Sequence, residues 1–183
     1  MGNGGLMATT TNNGWTIPAD TDLVRNGAQA IRTLGNAIDA SLNKVAYTSF
    51  TPTITGTGSG WTLGTGSSST GRWVQIGNTV FVDGTITLGT SPSASANAFA
   101  VALPQNANSN TAEWITNGWF YDSSATELYP CTIKISSTQI DFYVNKATSS
   151  TGPIVAKAFN STNSPAAVAV NDVFGFSISY QAA

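Results

Sequence analysis

The spacing of apolar residues changes once along this chain, near Val45, and that change limits what the chain can build. From Pro18 to Val45 the sequence has the composition of a helix. Val24, Ile31, Ile38 and Val45 recur every seven residues, and Gly27, Leu34 and Ser41 each follow the first three by three. Written as a heptad, the first set occupies position a and the second position d. One helix cannot bury such a seam against itself. Either it meets copies of itself, or it lies as an amphipathic helix on the β-rich remainder. Gly27 and Ser41 are weak d residues, and Gly35 costs about 1 kcal/mol relative to alanine inside a helix. The isolated helix would be marginal in water. Branched residues at a allow a dimer and, with non-leucine d positions, do not exclude a trimer. Small Gly27, Ala30, Ala37 and Ser41 would let helix backbones come close. Asp20, Thr21 and Asp22 suit the helix start and Lys44 its end.

Beyond Val45 the period falls to two. Residues 46–56 read as an extended segment, with Pro52 suiting an edge or the start of a strand. Residues 57–71 read as a long polar loop in which Trp61 and Leu63 signal packing. Trp73–Ile76 and Thr79–Val82 flank Gly77-Asn78, a two-residue hairpin turn. The second strand continues to Leu88, with Asp83-Gly84 as a candidate bulge or kink. Phe99, Val101 and Leu103 alternate in a short strand. Residues 113–121 are aromatic and extended. Residues 128–136 and 139–145 form a second hairpin around Ser137-Thr138, with one buried and one wet face. Residues 146–167 read mostly as loop, with a short apolar stretch around Ile154-Val155, and residues 173–180 form the last strand, with Phe174, Phe176, Ile178 and Tyr180 on one side. About eight short strands separated by polar loops point to an antiparallel sandwich or jelly roll. The fold class expected is mainly β: an N-terminal helix followed by a β-sandwich or jelly-roll domain.

Composition narrows the function. Only 9% of the 183 residues are charged, against about 25% in an average soluble domain, and the net charge is −2. Ser, Thr, Asn, Gly and Gln must supply the wet surface, as in extracellular β proteins and virion proteins. The seven Lys and Arg are scattered, so no nucleic acid is expected as a partner. No apolar run reaches the ~20 residues that span a bilayer, so membrane insertion is not expected. The first fifteen residues lack the basic and apolar regions of a secretory signal, so ordinary secretion is not expected either. Cys131 is the only cysteine, in a setting that reads as a buried strand thiol.

Much chemistry is missing. With no histidine, the commonest general base, the Ser-His-Asp arrangement and the usual zinc ligand go together. A glycosidase needs two carboxylates about 5–10 Å apart; Asp83, Glu113, Asp122, Glu127, Asp141 and Asp172 are the few candidates, mostly where turns favour acidic residues. Neither a cofactor nor a catalytic residue is expected. Aromatic side chains could instead stack on sugar rings, with Trp114, Trp119 and Tyr121 as the candidate glycan contacts and loops rich in Asn and Ser beside them.

Two stretches then bear on family. WTIPADTDLVRNGAQAIRTLGNAIDASL, from Trp15 to Leu42, resembles the start of many tailed-phage fibre and minor tail proteins, through Trp15, Pro18, Asp20, Thr21, Asp22, Val24, Gly27, Ala28, Ala30, Ile31, Arg32, Leu34, Gly35, Ala37, Ile38 and Asp39. GRWVQIGNTVFVDGTITLG, from Gly71 to Gly89, is similar to the β head that follows in such proteins, and DVFGFSISYQAA to their closing strand. The resemblance implies a homotrimeric virion appendage assembled in the bacterial cytoplasm. Residues 1–19 would be a flexible attachment arm, with Trp15 and Ile17 as its anchor or else as a staple closing the helix entry. Residues 20–45 would form a trimeric coiled-coil-like bundle through Val24, Gly27, Ile31, Leu34, Ile38 and Val45, and residues 46–183 the head. Its partners would be itself, other virion proteins of capsid or tail, and host surface glycans. A capsid decoration protein without a receptor is the rival expectation, and a polysaccharide-degrading enzyme a more distant one.

Overall fold

A computed structural model describes residues 8–10, 14–17, 24–43, 46–55, 58–108, 113–147, 150 and 152–183. The chain divides into two compact units, Met1–Ala46 and Tyr47–Ala183.

In the first unit, β1 (Ala8–Thr9) pairs antiparallel with β2 (Thr16–Ile17), Ala8 opposite Ile17. The stretch expected to be an unstructured arm therefore carries a small hairpin. Thr10 and Trp15 tie its loop end: the Thr10 N–H donates to the Trp15 carbonyl at 2.9 Å, and the Trp15 N–H to Thr10 Oγ1 at 3.0 Å. Helix α1 runs Val24–Asn43 and packs against β2. The expected capping residues Asp20, Thr21, Asp22 and Lys44 lie outside the described residues. The apolar stripe of α1 is unevenly covered. Ala30 is fully buried and Gly27, Leu34, Ala37 and Ser41 are half-buried, whereas Ile31 is 63% and Ile38 37% exposed. At 100° per residue these seven side chains span about a third of the helix circumference. One edge of that stripe is covered and the other, at the a positions, is open.

The second unit is a nine-stranded antiparallel sheet. Its strands are β3 (Thr48–Phe50), β4 (Ser68–Ile76), β5 (Thr79–Thr87), β6 (Ala100–Ala102), β7 (Glu113–Asp122), β8 (Glu127–Ile135), β9 (Gln139–Ala147), β10 (Ile154–Ala158) and β11 (Val173–Gln181). The order is β10-β9-β8-β7-β11-β5-β4-β3, with β6 on β9 beside β10. The sheet then closes on itself. Past β3 the chain turns at buried Pro52, and the Thr55 N–H donates to the Ala100 carbonyl while the Ala102 N–H donates to that of Thr53. One segment thus borders β4 at its start and β6 at its end, as corner strands do in sandwich-like folds.

Alternation explains the interior. Ile133, Ile135, Ile140, Phe142 and Val144 from the β8–β9 hairpin are buried, as are Phe174, Phe176, Ile178 and Tyr180 of β11. Phe99 and Phe174 stack at 3.8 Å, with Phe120, Phe142 and Phe159 edge-on or tilted around them. Where β6, β9 and β10 part company, Phe99, Phe142 and Phe159 close a ring of three backbone hydrogen bonds, each N–H donating to the next carbonyl. Their backbones are satisfied where the ladder splits and their rings go inward. Trp61 is buried, edge-on to Phe99, and its Nε1 donates to the Asn97 carbonyl at 2.9 Å.

Three expectations need correction. β4 starts at Ser68, inside the expected polar loop, because alternation there is between hydroxyls and not between apolar and polar residues. Thr70 Oγ1 lies 3.1 Å from Thr85 Oγ1 across the strand pair. Asp83-Gly84 is not a bulge, since β5 keeps unbroken register with β4 and β11. The bulge is in β7–β8, between Ile115 and Gly118. Residues 154–158, mostly assigned to loop, extend the sheet as β10 on β9.

Candidate functional site

The wet face of β3, β4, β5 and β11 carries an open groove of about 700 Å³. Its position follows from one turn. Gly77 has φ +60° and occupies the first central position of the β4–β5 hairpin, as a type II′ turn requires. Counting five residues outward from each side of that turn places Arg72 opposite Asp83, and the register confirms it. The line continues to Ser49 on one side and Ser177 on the other, giving four polar residues across four strands. The next outward line reads Thr70, Thr85, Gly175, Trp119.

Arg72 and Asp83 form the salt bridge of the groove. Arg72 Nε donates to Asp83 Oδ2 at 2.7 Å and to Oδ1 at 3.2 Å. The Arg72 guanidinium carbon also lies 4.8 Å from the centre of the Tyr47 ring, a cation–π contact. The hydrogen bond to Asp83 and its charge raise the Arg72 pKa further. Only Nε makes the ion pair, so the N–H groups of both terminal nitrogens are not used in it. At the other end of the groove, the half-buried Trp119 indole lies across Gly175. A Cβ at Gly175 would sit 2.1 Å from Trp119 Cζ2 and 2.2 Å from Cε2. Absence of a side chain there gives the indole its seat.

Of the candidate glycan contacts, Trp119 lines this groove and Tyr121, half-buried, lies two residues further along the same face of β7. The Trp114 side chain lies outside what is described. Trp15 and Ile17 are half-buried in the small hairpin. Of the candidate assembly residues, Gly27 and Leu34 are half-buried and Ile31 and Ile38 exposed, while the Val24 side chain and Val45 lie outside the description. Asp83 was weighed in the sequence only as a bulge and as a carboxylate candidate, and Arg72 and Tyr47 were given no place in a site, although the Gly77-Asn78 turn was sufficient to pair Arg72 with Asp83.

Elsewhere the carboxylates accept hydrogen bonds within loops or along a strand. Asp172 is fully buried and accepts from the Ser123 N–H and Oγ and from the Ala169 N–H, tying the β7–β8 turn to the start of β11. Asp122 accepts from the Ser124 N–H and Oγ and the Ala125 N–H, which lower its pKa. Glu127 accepts from the Tyr129 hydroxyl. Asp141 accepts from Gln139 Nε2, and burial raises its pKa. The Glu113 side chain lies outside what is described. Among the described residues, no three His, Cys, Asp or Glu gather as a metal site would need, and no helix is long and apolar enough to cross a membrane. The Cys131 thiol is buried, which pushes its pKa up to about 12. No family model, curated protein or solved structure matched the chain.

Proposed function

We propose that this chain is a structural protein of a tailed-phage particle, a short homotrimeric fibre or spike that contacts glycans on the host surface. The observation that carries the reading is the open edge of α1. Ile31 and Ile38 stand seven residues apart on an amphipathic helix, exposed, beside a stripe of small residues. Exposed isoleucines at coiled-coil spacing are the pattern a self-associating helix leaves when seen alone. The resemblance of Trp15–Leu42 to phage fibre proteins supports the same reading. On it, three copies of α1 form a coiled-coil-like bundle about 30 Å long. The sandwich-like sheet is the jelly-roll head, and the hairpin bearing Trp15 and Ile17 attaches to another virion protein. The hydroxyl-rich, nearly uncharged surface suits weak contacts multiplied by valency, which raises avidity by about 10²–10⁴ over a single site.

Binding of fluorescently labelled protein to intact bacterial cells tests the function. The full chain should decorate susceptible cells and lose them when surface polysaccharide is stripped. The Ile31→Asp, Ile38→Asp double variant should bind about 10²-fold more weakly or worse. Failure to decorate any host would favour the capsid decoration reading.

A further inference from the structure

The groove beside Arg72 and Asp83 points to a neutral pyranose as the ligand, and we infer that this is where the protein recognises one. The inference deepens the glycan-contact part of the proposed function and rests on it. Three features select the class. The first is charge. Arg72 and Asp83 neutralise one another at 2.7 Å, so the site offers no net attraction to a sulfate, phosphate or carboxylate, and Asp83 would repel one. The second is hydrogen-bonding capacity. A vicinal diol both donates and accepts at each oxygen. Asp83 supplies acceptors and the terminal nitrogens of Arg72 supply donors, side by side. Thr70 and Thr85, 3.1 Å apart, add two hydroxyls able to play either part. Charge-assisted bonds of this kind are about twice as strong as neutral ones. The third is shape. The Trp119 indole is set into the sheet over Gly175, one outward line from Asp83 and one strand beyond Thr85 along that line. One line is two residues along a strand, about 7 Å, and neighbouring strands lie about 4.8 Å apart. A sugar can therefore stack its apolar C–H face on the ring while its hydroxyls reach the ion pair, or adjacent sugars can divide the two contacts. Tyr47, 53% exposed and held by Arg72, gives a second ring at the other end.

The test is binding of the full chain to an array of neutral oligosaccharides, built from hexoses and N-acetylhexosamines, beside acidic ones carrying uronic or sialic acid. The expected result is binding within the neutral set. Trp119→Ala should weaken it at least tenfold and Trp119→Phe less. Asp83→Asn should weaken neutral binding and transfer preference toward acidic glycans, because it leaves Arg72 with an uncompensated charge. That gain cannot come from misfolding. Thermal midpoints and oligomer mass of the variants control for structure. Neutral binding that survives both Trp119→Ala and Asp83→Asn would overturn the assignment of the groove while leaving a glycan-binding protein. Binding confined to acidic glycans in the unaltered chain would overturn the ligand class. Binding to no glycan would overturn both the inference and the glycan part of the proposed function.

Discussion

At Gly175 the chain has no room for a side chain, because the Trp119 ring occupies the volume a methyl group would take. Gly175→Ala should therefore displace the indole, lower stability by about 1–3 kcal/mol as overpacking does, and shift the tryptophan fluorescence maximum. Urea denaturation and emission spectra measure both. Two other residues give a pH signature. Burial raises the pKa of the Cys131 thiol and the Tyr180 phenol to about 12 each, and Tyr180 donates its proton to the Gln105 carbonyl at 2.7 Å. Both groups fold in their protonated form, and their folded pKa values exceed the unfolded values of about 8.5 and 10. Their stabilisation is complete below the unfolded values and disappears as pH rises toward 12. Stability measured by denaturant titration should fall progressively above about pH 9, and Cys131→Ala should flatten the lower part of that fall. At pH 8 the native thiol should resist electrophilic thiol reagents, because only the thiolate attacks them.

Among the elements, those marked by apolar alternation were legible in the sequence and those made of hydroxyls were not. The β8–β9 hairpin and β11 announce themselves through Ile133, Ile135, Phe142, Phe174 and Phe176, whose burial follows from period two. The first three residues of β4, Ser68, Ser69 and Thr70, carry no such mark, since a wet strand of small polar residues looks like a loop until its partner is known. The groove was half legible for the same reason. Trp119 stands out as an aromatic, while Arg72 and Asp83 acquire meaning only through cross-strand register. Two glycines test the elements separately. Gly77 holds φ +60° with nothing near its missing side chain. Gly77→Ala should cost about 1–2 kcal/mol from left-handed backbone alone, with the groove shape retained. Gly35 is exposed in α1, with nothing within 4 Å of where its side chain would be. Gly35→Ala should add helical signal at 222 nm and up to about 1 kcal/mol of helix stability.

At the scale of the whole molecule, the two units have different needs. The nine-stranded unit closes its own sheet and fills its interior with six phenylalanines and Trp61. Among the described residues, the first unit has one helix and a two-stranded hairpin, and leaves Ile31 and Ile38 exposed. A helix of 20 residues so placed has little stability of its own, and in the proposed trimer it would gain most by burying that edge against its own copies. The heptad residues are readable in the sequence, but the number of copies is not, because Gly27 and Ser41 at d lack the side chains that discriminate among oligomers. The direct measurement is the mass of the full chain in solution by size-exclusion chromatography with light scattering, alone and as the Ile31→Asp, Ile38→Asp variant. Three times the 18.9 kDa chain mass is expected for the unaltered protein and 18.9 kDa for the variant. An unaltered chain that stays at 18.9 kDa across the micromolar range, or a variant that keeps the trimer mass, would contradict that expectation.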